Sequence, residues 1–538
     1  MRKLLWVIVG LSLFASAAGA QEIAFLDSLQ HASFNFFWYE ANPVNGLIKD
    51  RSQGWSPASI ASTGFGLSAI GVGVDHGWIT RPQGADRVER TLQTFWRGPQ
   101  GTAVSGMIGY KGLFYHFLDM TTATRTWTCE LSSIDTALLL AGILDARQYF
   151  DGVDPAEEHI RALADSINGR VDWQWMQNGS QGIAMGWLPE SGFSTFGLWF
   201  GYNEAMIMYL LAIGSPTYPI PATAWNYWLS GYKWRNHYGY WFVEFPPLFG
   251  HQYSHCWVDF RNLQDAYMRF YATYYPDQAY GMTYFENSRR ATYAQRAYCT
   301  ANPGGWTGYS DVMWGLTACD GPDAYPPYHG YIARGAPPAA NDDGTIAPTA
   351  AAGAIAFAPE IVVPTLQNLW ENYPNSRHMY GFRDAFNLTA NWWDTDVIGI
   401  DQGPIVLMIE NYRTESVWDR GMQIPAITLG LSRAGFLPAV DVEGPGPSAG
   451  VAIELAQNDP NPFRGATTIR YRLPQAGPVR LTLYDARGRR VAALVDEVRP
   501  AGEYVARLEA ARLASGVYTY RLEAGGETVV KKCVHLRP

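Results

Sequence analysis

Apolar positions recur with a helical period through most of this chain, then switch near residue 440 to short alternating runs. The 3.6-residue period is clearest in "SSIDTALLLAGILDARQYF", "NEAMIMYLLAIG" and "PIVLMIENYR", where a continuous apolar stripe demands a buried face. It predicts helices over 22–41, 57–76, 84–96, 131–150, 154–168, 204–213, 221–232, 261–274, 284–298, 348–372, 403–413 and 415–435, each closing near Gly, Asn or Pro. Long aromatic loops intervene, notably 107–128, 171–202 and 236–260. Roughly twelve helices in alternating pairs predict six helical hairpins closed into a ring, an (α/α)6 toroid. An open solenoid of hairpins is the alternative, although no fixed-period repeat is visible.

The pattern breaks at "LPAVDVEGPGPSAG", residues 437–450, where Pro, Gly and Ser replace periodic apolar residues. A linker is therefore expected over 437–452, dividing a mainly α domain (21–436) from a small C-terminal β-sandwich (453–538). The tail reads "TTIRYRLP", "PVRLTLYD", "RRVAALV", "EYVARLE", "GVYTYRLE" and "TVVKKCVHL", strands of period two separated by turns. Within the linker, "GPSAG" matches the G-x-S-x-G pattern of serine hydrolases. That elbow needs a strand before the serine and a helix after it, and prolines flank this one.

Residues 1–20 read as a signal peptide. Arg2 and Lys3 are basic, "LLWVIVGLSLFA" is apolar, and Ala18-Gly19-Ala20 offers a small-residue cleavage site. The run is shorter than the ~20 residues that span a bilayer, and no later stretch is long and apolar enough. Export follows, with the extracellular space or cell surface as destination and the periplasm as an alternative. Five cysteines are too few and too odd for a disulfide framework; Cys299 and Cys319 either pair across a loop or stay as buried thiols. No C-x-x-C occurs, so structural zinc has no support.

Composition narrows the chemistry. A net charge of -9 argues against a nucleic-acid partner. Aromatic residues make up 14% of the chain, with 21 Trp and 32 Tyr. They fit either a large aromatic core or a sugar cleft, where rings stack on pyranose faces.

Three acidic segments share one arrangement. In "CELSSIDTALLLAG", Glu130 precedes a helix and Asp135 lies in its first turn; in "FGYNEAMIMYLL", Asn203 caps and Glu204 begins a helix; in "WWDTDVIGIDQGPIVLM", Asp401 precedes a helix containing Pro404. Each acid alone fits a helix cap, since carboxylates offset exposed N–H groups and the helix dipole, and Ser132-x-x-Asp135 has capping-box spacing. Together they suggest more. Inner helices of a ring run parallel, so acids at their N-termini gather on one rim. A protonated carboxyl beside an ionised one there is what glycoside hydrolysis requires, and burial beside rings such as Trp392 and Trp393 raises a pKa.

Other polar-aromatic loops are candidate cleft linings. They supply Trp187 and Glu190, then Tyr202, then His251, His255, Trp257 and Arg261, and finally Asp394 and Asp396 beside the tryptophan pair. His251 and His255 have the i, i+4 spacing of metal ligands, but no H-E-x-x-H surrounds them, so sugar contacts are expected instead. "NDDGT" at 341–345 lacks most ligands of a calcium loop and reads as a turn. No metal ligand is assigned.

The segments "GWSPASIASTGFGLSAIGVG", "CELSSIDTALLLAG", "GYNEAMIMYLLAIGSP", "GHQYSHCWVDFR" and "DVIGIDQGPIVLMIENYRT" resemble the bacterial glucoamylase-like (glycoamylase) family, over roughly residues 25–435. That family includes the endo-β-1,2-glucanases of glycoside hydrolase family 144. The resemblance implies an (α/α)6 barrel, inverting hydrolysis of a glucan, and no cofactor. It implies catalytic roles for Glu130, Asp135, Glu204 and Asp401, with Glu204 or Asp135 as proton donor and Asp401 activating water or orienting sugar. The tail resembles the sorting domain of type IX secretion substrates and the immunoglobulin-like module of flagellar hook-assembly proteins, which implies passage through secretion machinery. A monomer is expected. A polysaccharide lyase on the same scaffold and a non-catalytic glycan-binding protein are the rival readings.

Overall fold

Helices apolar on every side make the interior of the α unit, and helices apolar along one stripe make its outside. Buried residues number 14 of 16 in Ile60–Asp75, 13 of 17 in Ser133–Tyr149, all eight in Met206–Ile213 and 12 of 15 in Gly399–Arg413. Arg81–Arg97 and Pro155–Arg170 bury only six of 17 and six of 16. A helix buried all round needs neighbours on all sides. Accordingly Ile60–Asp75 packs against both Ser133–Tyr149 and Gly399–Arg413, and Ser133–Tyr149 also packs against Met206–Ile213; the two amphipathic helices pack on each other. Glycine sets the closest of these approaches. A Cβ on Gly142 would lie 1.9 Å from the Gly64 carbonyl oxygen, so the two backbones meet with no side chain between them.

These features come from a computed structural model that describes residues 22–279, 281–322, 330–439, 454–473, 477–484, 490–500, 502–510, 513–524 and 527–536. The expected signal peptide and the "GPSAG" motif lie outside the described residues. The chain divides after residue 440 into two compact units. Among the described residues, no helix is long and apolar enough to cross a membrane.

Several helices depart from their predicted bounds for identifiable reasons. The 348–372 segment is two helices, Pro348–Ala352 and Pro359–Asn372, because Pro359 starts a new first turn. The 415–435 segment divides likewise into Ser416–Gly421 and Pro425–Arg433. The helix expected from residue 403 begins at Gly399, which places Asp401 inside its first turn rather than before it. The 171–202 loop contains a short helix, Trp173–Gln177. Leu437–Pro438, read as linker, pairs with Leu263–Gln264.

A small antiparallel sheet joins Gly109–Tyr110, Leu113–Tyr115, Leu131–Ser132 and Gly186–Trp187 in that spatial order. It sits at the N-terminus of the Ser133–Tyr149 helix and fixes the residues on either side of it.

The C-terminal unit holds a three-stranded sheet (Glu454–Leu455, Ala466–Leu473, Gly502–Glu509) and a four-stranded sheet (Arg490–Arg499, Gly477–Tyr484, Gly516–Ala524, Glu527–His535), all antiparallel. Ile469, Tyr471 and Leu473 from the first and Leu481, Tyr520 and Leu522 from the second share one core, as two stacked sheets with alternating faces require. All five cysteines are free.

Candidate active site

Ser132 caps the Ser133–Tyr149 helix, its hydroxyl accepting from the Asp135 N–H at 3.2 Å and donating to Asp135 Oδ2 at 2.5 Å. The capping role and a site role thus coexist in Asp135. Its other oxygen, Oδ1, faces His116 Nε2 at 3.7 Å, and His116 Nδ1 meets Glu130 Oε1 at 2.9 Å. Glu130 stands just before the Leu131–Ser132 strand. The next strand supplies Gly186, where a Cβ would lie 2.9 Å from Glu130 Cγ. Burial opposes charge on the imidazole, but the Asp135 and Glu130 carboxylates outweigh it and lift His116 to about 9. Glu130 is also resisted by burial, yet the His116 hydrogen bond brings it below the usual carboxylate range. Asp135 keeps a raised pKa, because burial exceeds the stabilisation from His116 and Ser132. Short contacts between opposite charges make this trio an ion-pair network.

Glu204 occupies the turn before the Met206–Ile213 helix, and Asn203 Oδ1 accepts from the Ala205 N–H at 3.0 Å. Its Oε2 is buried and has no hydrogen-bond partner among the described residues. Burial, reinforced by the Asp135 charge, pushes Glu204 up to about 7. Asp401 is 4% exposed and also has a buried oxygen, Oδ2, without a partner among the described residues. Burial lifts it to about 7. The Tyr253 phenol reports on the whole arrangement. It is held far above its ordinary range by burial and by the fields of Asp401, Glu204 and Asp135, acids that begin three different helices. The structure therefore brings Glu130, Asp135, Glu204 and Asp401 into one electrostatic neighbourhood. Carboxyl groups that hold a proton at neutral pH beside ionised ones are equipped for general acid–base chemistry.

Several members of this neighbourhood escaped the sequence reading. His116 sits in a loop between short strands; Asp50 and Arg51 lie in "KDRSQGW"; Asp320 and Asp384 lie in "ACDG" and "FRDAF". Arg51 Nη1 donates to Asp320 Oδ2 at 2.8 Å and to Asp396 Oδ2 at 3.0 Å. None of these residues falls on a periodic element. At His116 and Asp384 the available signal is an isolated base or acid among aromatic residues; Asp50, Arg51 and Asp320 carry none.

Some expected sugar contacts are instead interior. His251 and His255 are both fully buried, on successive 3-10 turns, and burial depresses each to about 3. His255 Nε2 meets Ser288 Oγ at 3.1 Å, and the same hydroxyl lies 3.3 Å from Tyr202 OH, whose ring packs on His251. Trp257 donates to Ser68 Oγ at 2.8 Å and stacks on Phe65. These residues are core, because the polar-aromatic pattern of the loop serves a buried network and not a surface. Arg261 is clamped by Asp259 and Glu415 over the Trp418 ring. Asp394 and Asp396 are 2% and 0% exposed, and Asp396 pairs with Arg51.

Of the remaining candidates, Glu190, Trp392 and Trp393 stay nearer the surface, whereas Trp187 is 8% exposed. Trp187 neighbours Leu131 in the small sheet and packs with Tyr110 and Trp175. Glu190 pairs with Arg125 at 2.7 Å. Trp392 and Trp393 are half-buried on a strand beside Phe386–Asn387, with Trp393 stacked on Phe386. The "NDDGT" turn is structural. Asp342 accepts from Tyr298, Tyr309 and Trp306, and Asp343 pairs with Arg334.

A helical domain whose inner helices present carboxyl groups at their first turns defines a recognisable class, and comparison with known proteins shows which. The family model described as "Putative glucoamylase" (Glycoamylase) matches residues 198–425, and a "Secretion system C-terminal sorting domain" matches residues 460–535. A crystal structure named "putative glucoamylase" from Bacteroides uniformis is 32% identical, with a TM-score of 0.69 covering 78% of this chain and 98% of that one. An endo-β-1,2-glucanase from Chitinophaga pinensis, solved with sophorotriose and glucose, is 28% identical, also with a TM-score of 0.69, over 77% of this chain and 98% of that one. An exo β-1,2-glucooligosaccharide sophorohydrolase (non-reducing end) from Parabacteroides distasonis is 29% identical over 442 residues. The match takes in 76% of this chain and 57% of that relative. The chain belongs to the glycoamylase family. Its C-terminal sorting domain marks it as a secreted or cell-surface protein.

Proposed function

We propose that this protein is an exported glycoside hydrolase that cleaves the β-1,2 linkages of a glucan by single displacement. Glu204 donates its proton to the glycosidic oxygen as the bond from that oxygen to C1 breaks. Water, oriented and deprotonated by Asp401, attacks C1 from the opposite face and inverts it. Glu130, Asp135 and His116 form the charged floor beside the donor.

The observation that carries this reading is the state of Glu204. Its buried Oε2 is without a partner among the described residues, and the group rests near 7, where a general acid works best at neutral pH. Asp135, the other candidate donor, is tied to Ser132 and His116. The alternation of fully buried and amphipathic helices supports six hairpins closed in an (α/α)6 ring. The names of the relatives support β-1,2-glucan as substrate. The protein acts as a monomer, and its tail engages secretion machinery.

A panel of linear β-1,2-, β-1,3-, β-1,4- and β-1,6-glucans, followed by reducing ends and product length, tests the reading. Release from the β-1,2 polymer alone is expected, with mixed oligomers marking internal cuts and a single disaccharide marking action from the non-reducing end. No release from any glucan defeats it, and products absorbing in the near ultraviolet through a new unsaturated bond would revive a lyase.

A further inference from the structure

Below Asp401 lies a set of acids that the proposed reaction does not use. Asp320, Asp384 and Asp394 are 0%, 1% and 2% exposed. One carboxylate oxygen of each lies within 4.8 Å of the other two. In all three, one oxygen is fixed by a donor: Asp384 Oδ2 accepts the Asp320 N–H at 2.6 Å, Asp394 Oδ1 accepts the Asp396 N–H at 3.0 Å, and Asp320 Oδ2 accepts from Arg51 at 2.8 Å. The second oxygens of Asp384 and Asp394 are buried and have no hydrogen-bond partner among the described residues. Among the described residues neither has an ion pair there, whereas Asp320 and Asp396 share Arg51.

Carboxylates this deep are tolerated when paired or bound to a metal. Here Asp384 and Asp394 each keep a buried oxygen without a donor among the described residues, and one oxygen from each of the three acids gathers at a common point. We propose that Asp320, Asp384 and Asp394 together bind one calcium ion. Calcium takes oxygen ligands at about 2.3–2.6 Å, so two ligands of one ion lie no more than about 4.6–5.2 Å apart, which the 4.8 Å span meets. Magnesium suits the site less well, because it holds ligands at about 2.0–2.1 Å in a near-ideal octahedron, whereas calcium accepts the wider and less regular spread of these three oxygens. The ligands come from separate segments, after the Ala318–Cys319 strand, between Gly381–Phe382 and Phe386–Asn387, and after Trp392–Trp393. The ion would staple these loops near the Gly399–Arg413 helix, whose first turn holds Asp401; the Asp401 carbonyl also receives the Thr349 hydroxyl. Asp384 also lies against the Asp401 carboxyl, with which it shares a hydrogen bond, but the site rests on packing and its test does not read the reaction proposed above.

The test uses the full-length protein. Elemental analysis of protein purified in calcium-containing buffer should find one calcium per chain. Stripping with EDTA should lower Tm, calcium chloride should restore it, and magnesium chloride at equal concentration should not. In Asp384→Asn and Asp394→Asn the calcium response should vanish, while Asp119→Asn, on an exposed turn, keeps it. No calcium in the wild-type protein together with a Tm indifferent to EDTA and calcium overturns the proposal. So does an undiminished calcium response in Asp394→Asn. Should both buried variants fail to fold, the metal content and calcium-dependent Tm of the wild-type chain decide by themselves.

Discussion

Replacing Glu204 by Gln separates a buried proton donor from a helix-capping acid, because the two roles predict opposite effects. The folded protein holds the Glu204 proton up to about 7, against an ordinary value of 4.5. Between those two pH values the folded state binds more protons than the unfolded chain, so stability falls as pH rises. The contribution is fully present below 4.5 and lost on passing through 7. At about 1.4 kcal/mol per pH unit the difference is about 3 kcal/mol. For a unit of about 420 residues, unfolding entropy near 2 cal/mol/K per residue converts this to about 3–4 °C in Tm. Gln cannot titrate, and any fixed cost of its amide is the same at both ends of the range. Urea melts of wild type and Glu204→Gln at pH 4.5 and pH 8 should therefore show the variant gaining about 3 kcal/mol relative to wild type at the higher pH. Turnover should fall about 10²–10⁴-fold, the worth of a general acid. A stability difference that stays flat within about 1 kcal/mol, or turnover retained within about tenfold, refutes the reasoning.

Three further outcomes follow from the packing and charge of the helical unit. Gly142→Ala drives a methyl into the Gly64 carbonyl; overpacking of about 1–3 kcal/mol or more should appear as an earlier urea midpoint. His255→Ala removes a neutral, fully buried ring and should cost stability, read by thermal melting, while the surviving folded molecules keep their KM. A rise in KM with stability unchanged would return His255 to the cleft. His116→Gln leaves Glu130 and Asp135 without their shared cation and should lower kcat; in wild type the stabilisation from His116 is present below pH 6.5 and disappears as pH rises through 9, measurable as a fall in Tm on the alkaline side.

Helical periodicity carried the inner helices well, because an element buried on all sides leaves an unbroken apolar run, as in "MIMYLLAI". The alternating strands of the tail were equally plain. Helix ends were less so, since Pro359 and Pro425 start new helices within apolar stretches that read as continuous. The acids Asp135 and Asp401 were legible because a first-turn carboxylate has a position as well as a charge. His116 and Arg51 were not, for their significance comes from partners far away in sequence: Arg51 meets Asp320 and Asp396. The 236–260 loop misled in the other direction. Its histidines and tryptophan look like cleft lining, yet two 3-10 turns fold them into a dry interior, and one-dimensional composition does not distinguish a polar network under the site from one facing it.

The account rests on two carboxyl groups from distant helices acting on opposite faces of one sugar. Proton NMR of the first product formed from linear β-1,2-glucan tests this most directly. The account predicts that the α-anomer appears first and then equilibrates, and that Glu204→Gln abolishes the signal. A β-anomer as first product, or hydrolysis undiminished in that variant, would contradict it.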